Sequence, residues 1–340
     1  MQSAPKTQEL PHVREIHNAT PATLTSELLS SDAPVVLRGL LSDWPLVKAG
    51  LKSAAEADHY LRQFYNHNKI HAMVAPAEVK GRYFYNDALD GFNFTRNTTS
   101  LTEVLDDIHA SNNATAPSSY YVGSTSIDHI LPEFRQHNDI PPLADKPLIS
   151  IWLGNQSRIA AHYDVTDNVA CCAVGQRRFT LFPPAQLDNL YIGPLDFTPA
   201  GQPASLVDFH QPDFTRFPKF ETALQHAQIA ELNPGDALFI PSMWWHHVEA
   251  LSDFNVLVNY WWRQVGDHMG VPADALLHAL LSIKDLPASQ RDAWRNLFEH
   301  YVFSNNQHEH IPTARKGALN AIDDTLARQL RATLINKLNR

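Results

Sequence analysis

Cysteine is nearly absent from this sequence. Its 340 residues hold two, and they are neighbours, Cys171 and Cys172. Adjacent cysteines on an extended strand point to opposite faces, so no disulfide framework is available. A reducing compartment is the expectation. Glycine is also sparse, with 13 scattered residues and no glycine-rich loop of the kind that cradles a nucleotide phosphate. Charge is thin: charged residues make up 19% of the chain, the net charge is −9, and no dense Lys/Arg block occurs. Nucleic acid and an anionic membrane surface are therefore poor default partners. No apolar run approaches the roughly 18 residues of a membrane span. The opening stretch, MQSAPKTQELPHVREIHNAT, has no apolar signal core. A soluble, cytoplasmic protein is expected. Internal repeats, low-complexity tracts and a Ser/His/Asp hydrolase arrangement are likewise missing.

What is present is a large apolar fraction, 44%, enough for a sizeable core, and 18 histidines. Short apolar runs follow one another quickly at Leu148–Leu153, Arg158–Tyr163, Val169–Val174 and Arg177–Phe182. They are broken by sharp turns and end at Pro183-Pro184, since proline cannot donate to a strand ladder. Gly175-Gln176 reads as a short hairpin-like connection. Such a pattern predicts an antiparallel barrel or jelly roll.

Within this run lies SRIAAHYDVTDN, carrying His162 and Asp164 two residues apart. On a strand, alternate side chains share a face, so the pair would stand side by side. A divalent metal such as Fe(II) uses two imidazoles and one carboxylate on one face and keeps positions open for other ligands. The third donor is sought in PGDALFIPSMWWHHVEA, a buried strand entered from a tight turn. Adjacent histidines face opposite ways, so one of His246 and His247 can turn toward the metal. His246 is taken here, although spacing does not separate the two. A lone H-x-D triplet among so many histidines is a weak signal, and the distant strand-borne imidazole is what strengthens it.

The ordered motifs HYDVTDN, GQRRFTLFPP, PGDALFIPSMWWHHVE and VNYWW resemble the JmjC/cupin-like 2-oxoglutarate oxygenases. Within that family the motif likeness is nearest to the asparaginyl hydroxylase that inhibits hypoxia-inducible factor. The likeness is dense from Ser119 to Arg263 and looser upstream at PVVLRGLLSDWP. The resemblance implies a double-stranded β-helix, mainly β with flanking helices, with Fe(II) held by His162, Asp164 and His246. It implies 2-oxoglutarate as co-substrate, its distal carboxylate met by Tyr121, with Asn168 and Asn259 as nearby amides. Where the family pattern has a lysine for that carboxylate, this chain has Arg177, which keeps the charge and offers a bidentate fork. Arg178, facing the other way, reads as a solvated residue. Ile159 stands where a hydroxyl-bearing threonine is usual. The activity implied is hydroxylation of a side chain, of a protein or peptide first, with succinate and carbon dioxide released. The alternatives are a JmjC-type demethylase and a non-catalytic metal- or ligand-binding cupin scaffold. Trp244, Trp245 and Trp261 are candidates for apolar walls.

Three regions are expected. Residues 1–118 form an α/β extension of the barrel, with a frayed start (1–12), strands at Val13–Ile16, Ala33–Gly39, Ile70–Ala75 and Arg82–Asn86, a chain break at Asp43-Trp44-Pro45, and helices near Ser53–Phe64 and Ser100–Ala110. Residues 119–265 form the catalytic core, with a Pro-rich insert at 188–220 of a length that often carries function. Its GQPASL stretch lacks the polar and basic residues that meet peptide in the related hydroxylase. Residues 266–340 show amphipathic helices, with Leu326, Leu330, Leu334 and Leu338 at four-residue steps. By the same resemblance they are expected to form a homodimer interface.

Overall fold

The computed structural model describes residues 10–141, 143, 146–199 and 201–339. The chain divides into two compact units, Met1–Arg263 and Gln264–Arg340.

Among the described residues, fourteen strands, β1 (Arg14–Ile16), β2 (Val35–Leu37), β3 (Ile70–Ala75), β4 (Arg82–Tyr83), β5 (Thr95–Thr99), β6 (Ser119–Ser126), β7 (Leu148–Gly154), β8 (Ser157–His162), β9 (Asp167–Val174), β10 (Arg177–Phe182), β11 (Gln228–Leu232), β12 (Ala237–Ile240), β13 (Trp245–Ala250) and β14 (Asn255–Trp262), build the first unit. They form a nine-stranded sheet, β1-β2-β12-β9-β14-β7-β6-β3-β5, and a five-stranded sheet, β11-β10-β13-β8-β4. The eight core strands, β7 to β14, are divided between the two sheets and pair antiparallel within each. This is the jelly-roll arrangement expected from the strand run.

One expectation fails here. Gly175-Gln176 joins β9 of the large sheet to β10 of the small one, so it is a corner between sheets and not a hairpin. Gly175 adopts a positive φ of 73° and sits against the Phe254 carbonyl and the Asn255 side chain, where a Cβ would not fit. The crowding, not strand pairing, explains the glycine.

The alternation of the large sheet sets the core. In β14, Val256, Val258 and Tyr260 face one side and join a core with Cys171 of β9 and Ile151 and Leu153 of β7. That side is covered by helices α2 (Pro45–Lys52), α3 (Ala54–Arg62) and α4 (Leu101–Asn112), which contribute Leu46, Leu61 and Leu105. Leu257 of β14 and Cys172 of β9 face the barrel interior. The two cysteines thus point opposite ways, as their adjacency requires, and both are fully buried.

The N-terminal half departs from expectation in detail. Asp43-Trp44-Pro45 does not merely break the chain. Pro45 occupies the first turn of α2, where its missing N–H costs nothing. Between β1 and β2 lie a short 3-10 turn at Pro21–Thr23 and then α1 (Ser26–Leu29), capped by Thr25, whose hydroxyl accepts from the Leu28 N–H. Ile70–Ala75 pairs with β5, which the sequence pattern did not pick out, and with β6, while Arg82–Tyr83 runs parallel to β8. Residues 1–9 lie outside the described residues, and the end of the stretch expected to be frayed is held, since the Pro11 carbonyl accepts from the Ile229 N–H and His12 bridges Ile229.

Gly81 fixes β4 beside β8. Its φ is +71°, a Cβ there would lie 2.7 Å from the Gln156 carbonyl oxygen, and its own carbonyl accepts from the Arg158 N–H. Gly81→Ala is expected to lose about 1–3 kcal/mol. Thermal unfolding reads this as a lowered Tm, and an unchanged Tm would show that the turn relaxes without strain.

Candidate metal centre and pocket

β8 and β13 are neighbours, and His162 lies directly across from His246 in their register. The two rings stand 4.4 Å apart between centroids. The register then shifts by one residue. As a result Ile159 and His162, three apart, both line the interior cavity, which strict alternation forbids. Asp164 joins them by a different route from the one expected. β8 ends at His162, so the carboxylate is not carried on a strand. It lies in the bend before β9, and its carbonyl accepts from the Met243 N–H at 2.8 Å. That bond ties the bend to the turn leading into β13.

Ligand atoms of His162, Asp164 and His246 all lie within 4.8 Å of one another. The surroundings prepare them. His162 Nδ1 is 2.9 Å from the Ala160 carbonyl, and His246 Nδ1 is 2.9 Å from the Trp244 carbonyl. A carbonyl only accepts, so each Nδ1 carries the proton and each Nε2 keeps its lone pair. Asp164 Oδ2 accepts from Trp261 Nε1 at 3.0 Å and from Asn168 Nδ2 at 3.2 Å. His246 is buried, and burial first, then the neighbouring His162, pushes its pKa down to about 4. It is a neutral donor at pH 7. The set fits a divalent cation, with two imidazoles and one oriented carboxylate.

His247 points the other way. It is buried outside the barrel, stacked on Phe209 at 4.6 Å, with its pKa pushed down to about 3 by burial and by the nearby His210 and arginines. The geometry thus separates two histidines that the spacing did not.

The cavity holding the triad has a volume of about 290 Å³. Tyr121, Asn168, Arg177 and Asn259 all line it. Arg177 is 3% exposed, and its Nε is buried with no hydrogen-bond partner among the described residues. Burial lowers its pKa, opposed by Tyr121 and Cys172, and a guanidinium still remains protonated. The Tyr121 phenol is pushed up by burial. Arg178, on the opposite face, bonds Glu231. Ile159 takes its place on the wall beside Val248.

Of the three tryptophans expected as walls, only Trp261 lines the cavity. Trp244 packs in the barrel core and donates to the Asp32 carbonyl, and Trp245 packs outside against Tyr163. Trp152 is the wall that sequence reasoning missed. It lies against Tyr121 and Trp261 and donates to Asn259 Oδ1 at 2.7 Å. The two-residue period of LISIWLG held the signal, because it sets Trp152 opposite Ile151 and Leu153. Ser124, Thr166 and Gln202 also line the cavity and were not foreseen.

Fold and site together define a cupin-type barrel with a two-histidine, one-aspartate centre and a buried cation in the same cavity. The chain belongs to the cupin-like domain family, whose profile matches residues 21–268. Among curated proteins it is 33% identical over 138 residues to "Lysine-specific demethylase JMJ31" of Arabidopsis thaliana, covering 39% of this chain and 25% of that one. It is 32% identical over 155 residues to "HSPB1-associated protein 1" of Homo sapiens, covering 43% and 30%. It is 27% identical over 237 residues to "Lysine-specific demethylase 8" of Xenopus tropicalis, covering 67% and 48%. The chain therefore spans between a quarter and a half of the length of these relatives.

Asp164→Ala and His246→Ala are expected to abolish Fe(II) or Co(II) binding in anaerobic calorimetry. His247→Ala is expected to keep it within a few-fold. Trp261→Phe, which removes only the bond to Asp164, is expected to weaken the metal by about 10–100-fold. Equal losses in the two histidine variants would contradict the assignment.

Proposed function

We propose that the protein is an Fe(II)- and 2-oxoglutarate-dependent oxygenase that hydroxylates a side chain, of a protein or peptide first. The observation that carries the reading is Arg177. An unpaired guanidinium buried in the same cavity as a two-histidine, one-carboxylate centre calls for an anion, and among the described residues that line the cavity Asp164 is the single acid. A dicarboxylate that reaches both ends satisfies the metal and the cation together.

In this reading His162, Asp164 and His246 would hold the iron, and Arg177 with the Tyr121 hydroxyl would take the far carboxylate through charge-assisted bonds. When bound, the iron supplies oxygen activation and attack on a substrate C–H bond. The net change is consumption of dioxygen and 2-oxoglutarate, with release of succinate, carbon dioxide and the hydroxylated product. The chain's own work is positioning and exclusion of water. Trp152 and Trp261 wall the cavity, Asn259 fixes Trp152, and Asn168 and Trp261 hold the aspartate. Two relatives bear the name lysine-specific demethylase. Demethylation begins with the same hydroxylation, on an N-methyl group, so it is the second reading. A binding scaffold without turnover is the third and lacks a supporting observation, since the donors and the cation are all in place.

We also propose a homodimer through the C-terminal region. In the unit Gln264–Arg340, α5 (Pro272–Ser282) and α6 (Ala288–Phe298) bury no residue. Leu281 is 79% exposed and Phe303 70%, and Leu277, Trp294, Leu334 and Leu338 are exposed as well. So much open apolar surface on one helical unit favours a protein partner.

Two outcomes are expected. Arg177→Ala raises the 2-oxoglutarate requirement by about 10–100-fold, the worth of a buried charged hydrogen-bond pair, with metal affinity unchanged. Succinate assays and anaerobic titration of the visible charge-transfer band read this, and an unmoved requirement would place the anchor elsewhere. The double variant Leu281→Asp with Phe303→Asp is expected to halve the mass in light scattering, and a wild-type monomer at micromolar concentration would end the dimer reading.

A further inference from the structure

The insert between β10 and β11 is held at two places, and the second opens on a cleft that the metal centre does not use. The earlier part is fixed by the N-terminal region. Tyr85 Oη donates to the Phe197 carbonyl at 2.5 Å, and Arg96 Nη2 donates to the Pro199 carbonyl at 2.6 Å. The Phe197 ring stacks on Phe92 at 4.8 Å, and the Arg96 guanidinium lies over Phe92 at 5.3 Å. The later part, at Asp208 and His210, lies against the outer face of the small sheet. There β4, β8, β13 and the insert enclose a cleft of about 640 Å³, larger than the metal cavity of about 290 Å³.

Two arginines stand side by side in this cleft. Arg82 of β4 and Arg158 of β8 are direct partners in the strand register. Like charges placed opposite each other on neighbouring strands repel. The Arg82 guanidinium lies over the Phe84 ring at 3.8 Å and makes no hydrogen bond to any described residue. Its one ion pair is with Asp208, at 3.6 Å. Arg158 reaches the same carboxylate at 3.4 Å and otherwise bonds the Lys80 and Val79 carbonyls. Both ionic contacts are long, since Arg62 and Arg178 each meet an acid at 2.7 Å. Glu249, the other half-enclosed acid, is turned to His210 at 2.6 Å and pairs with neither arginine. Glu78 and Asp87 line the cleft too, but they are exposed at its rim, where water and salt screen them. Burial lowers the Arg82 pKa, Asp208 opposes this and Arg158 adds to it, and a guanidinium stays charged. One carboxylate is thus stretched between two cations.

We infer that this outer cleft is a second ligand site, and that it takes a small phosphate monoester whose phosphate bridges Arg82 and Arg158. A carboxylate has two oxygens in one plane and a single charge. A phosphate monoester has three terminal oxygens and nearly two charges, so it accepts from both forks at once and relieves their repulsion. Lys80 at the rim makes no ion pair among the described residues and adds a third cation. Tyr85 and Leu251 line the space left for the body of the ester. The inference does not depend on the oxygenase reading, because Arg177 and the metal donors lie on the inner face of the same strands.

The test titrates the full chain, in phosphate-free buffer, with phenyl phosphate, inorganic phosphate and acetate by calorimetry. Phenyl phosphate is expected to bind most tightly and acetate least. Arg82→Gln and Arg158→Gln each lose about 10–100-fold for phenyl phosphate, the worth of a charged hydrogen-bond pair. Asp208→Asn, which removes the acid competing for the arginines, binds phenyl phosphate more tightly than the wild type. That gain separates charge from folding, because a merely damaged cleft only weakens. Arg177→Ala leaves the affinity unchanged. No binding of phenyl phosphate, a preference for acetate, or full affinity in Arg82→Gln overturns the inference. Loss in Arg177→Ala would place the anion in the metal cavity and overturns it as well. Inorganic phosphate bound as tightly as the ester overturns the assignment of an ester.

Discussion

A guanidinium sealed inside a barrel, with no acid paired to it among the described residues, is the constraint around which this molecule is arranged. Removing such a charge from water costs on the order of several kcal/mol, and here no side chain among the described residues offsets it through an ion pair. Elsewhere the chain does not tolerate this. Arg38 sits between Glu15 and Asp236, Arg62 between Asp58 and Asp106, and Arg135 between Asp128 and Asp139. The contrast marks Arg177 as held in readiness for an anion that arrives with its own charge. By mass action, a ligand that meets this cation only in the folded state stabilises that state.

The imidazoles obey a related logic. Each uses one nitrogen to bond a carbonyl two residues back, Ala160 within β8 and Trp244 just before β13, so the local backbone that positions the ring also fixes its tautomer. The aspartate lacks that support, because it lies past the end of β8. It is steadied instead by Trp261, Asn168 and the Met243 N–H, which come from β14, β9 and the turn before β13. The three donors therefore depend on both sheets at once. Loosening any one contact moves the carboxylate before it moves the histidines.

The jelly roll was legible because its strands are short, apolar and sharply punctuated, and because β-alternation is a rule without many exceptions. It placed Cys171 and Cys172 on opposite faces and separated Arg177 from Arg178. It failed where the chain leaves regular structure. The bend at Asp164, the register shift opposite His246 and the corner at Gly175 each break the period of two, and nothing local in the sequence signals which residue yields. The choice between His246 and His247 belonged to the same class, since it depends on which face β13 turns to β8 and β10. Gln202 was illegible for another reason. Its position comes from Tyr85, Phe92 and Arg96, more than a hundred residues upstream, and such a contact has no periodic trace.

The small sheet links these features. Its inner face carries His162, His246 and Arg177. Its outer face carries Arg158 and Glu249, and these meet Asp208 and His210 of the insert at 3.4 and 2.6 Å. The insert thus grips the outside of the strands whose inside holds the donors. Its earlier part, clamped at Phe197 and Pro199, brings Gln202 to the cavity on the other side. One segment therefore touches both faces of the ligand-bearing strands. The distance between the neutral amide and the metal donors is set by backbone already locked on two sides, so the mouth of the cavity is part of the same rigid frame as the centre it serves.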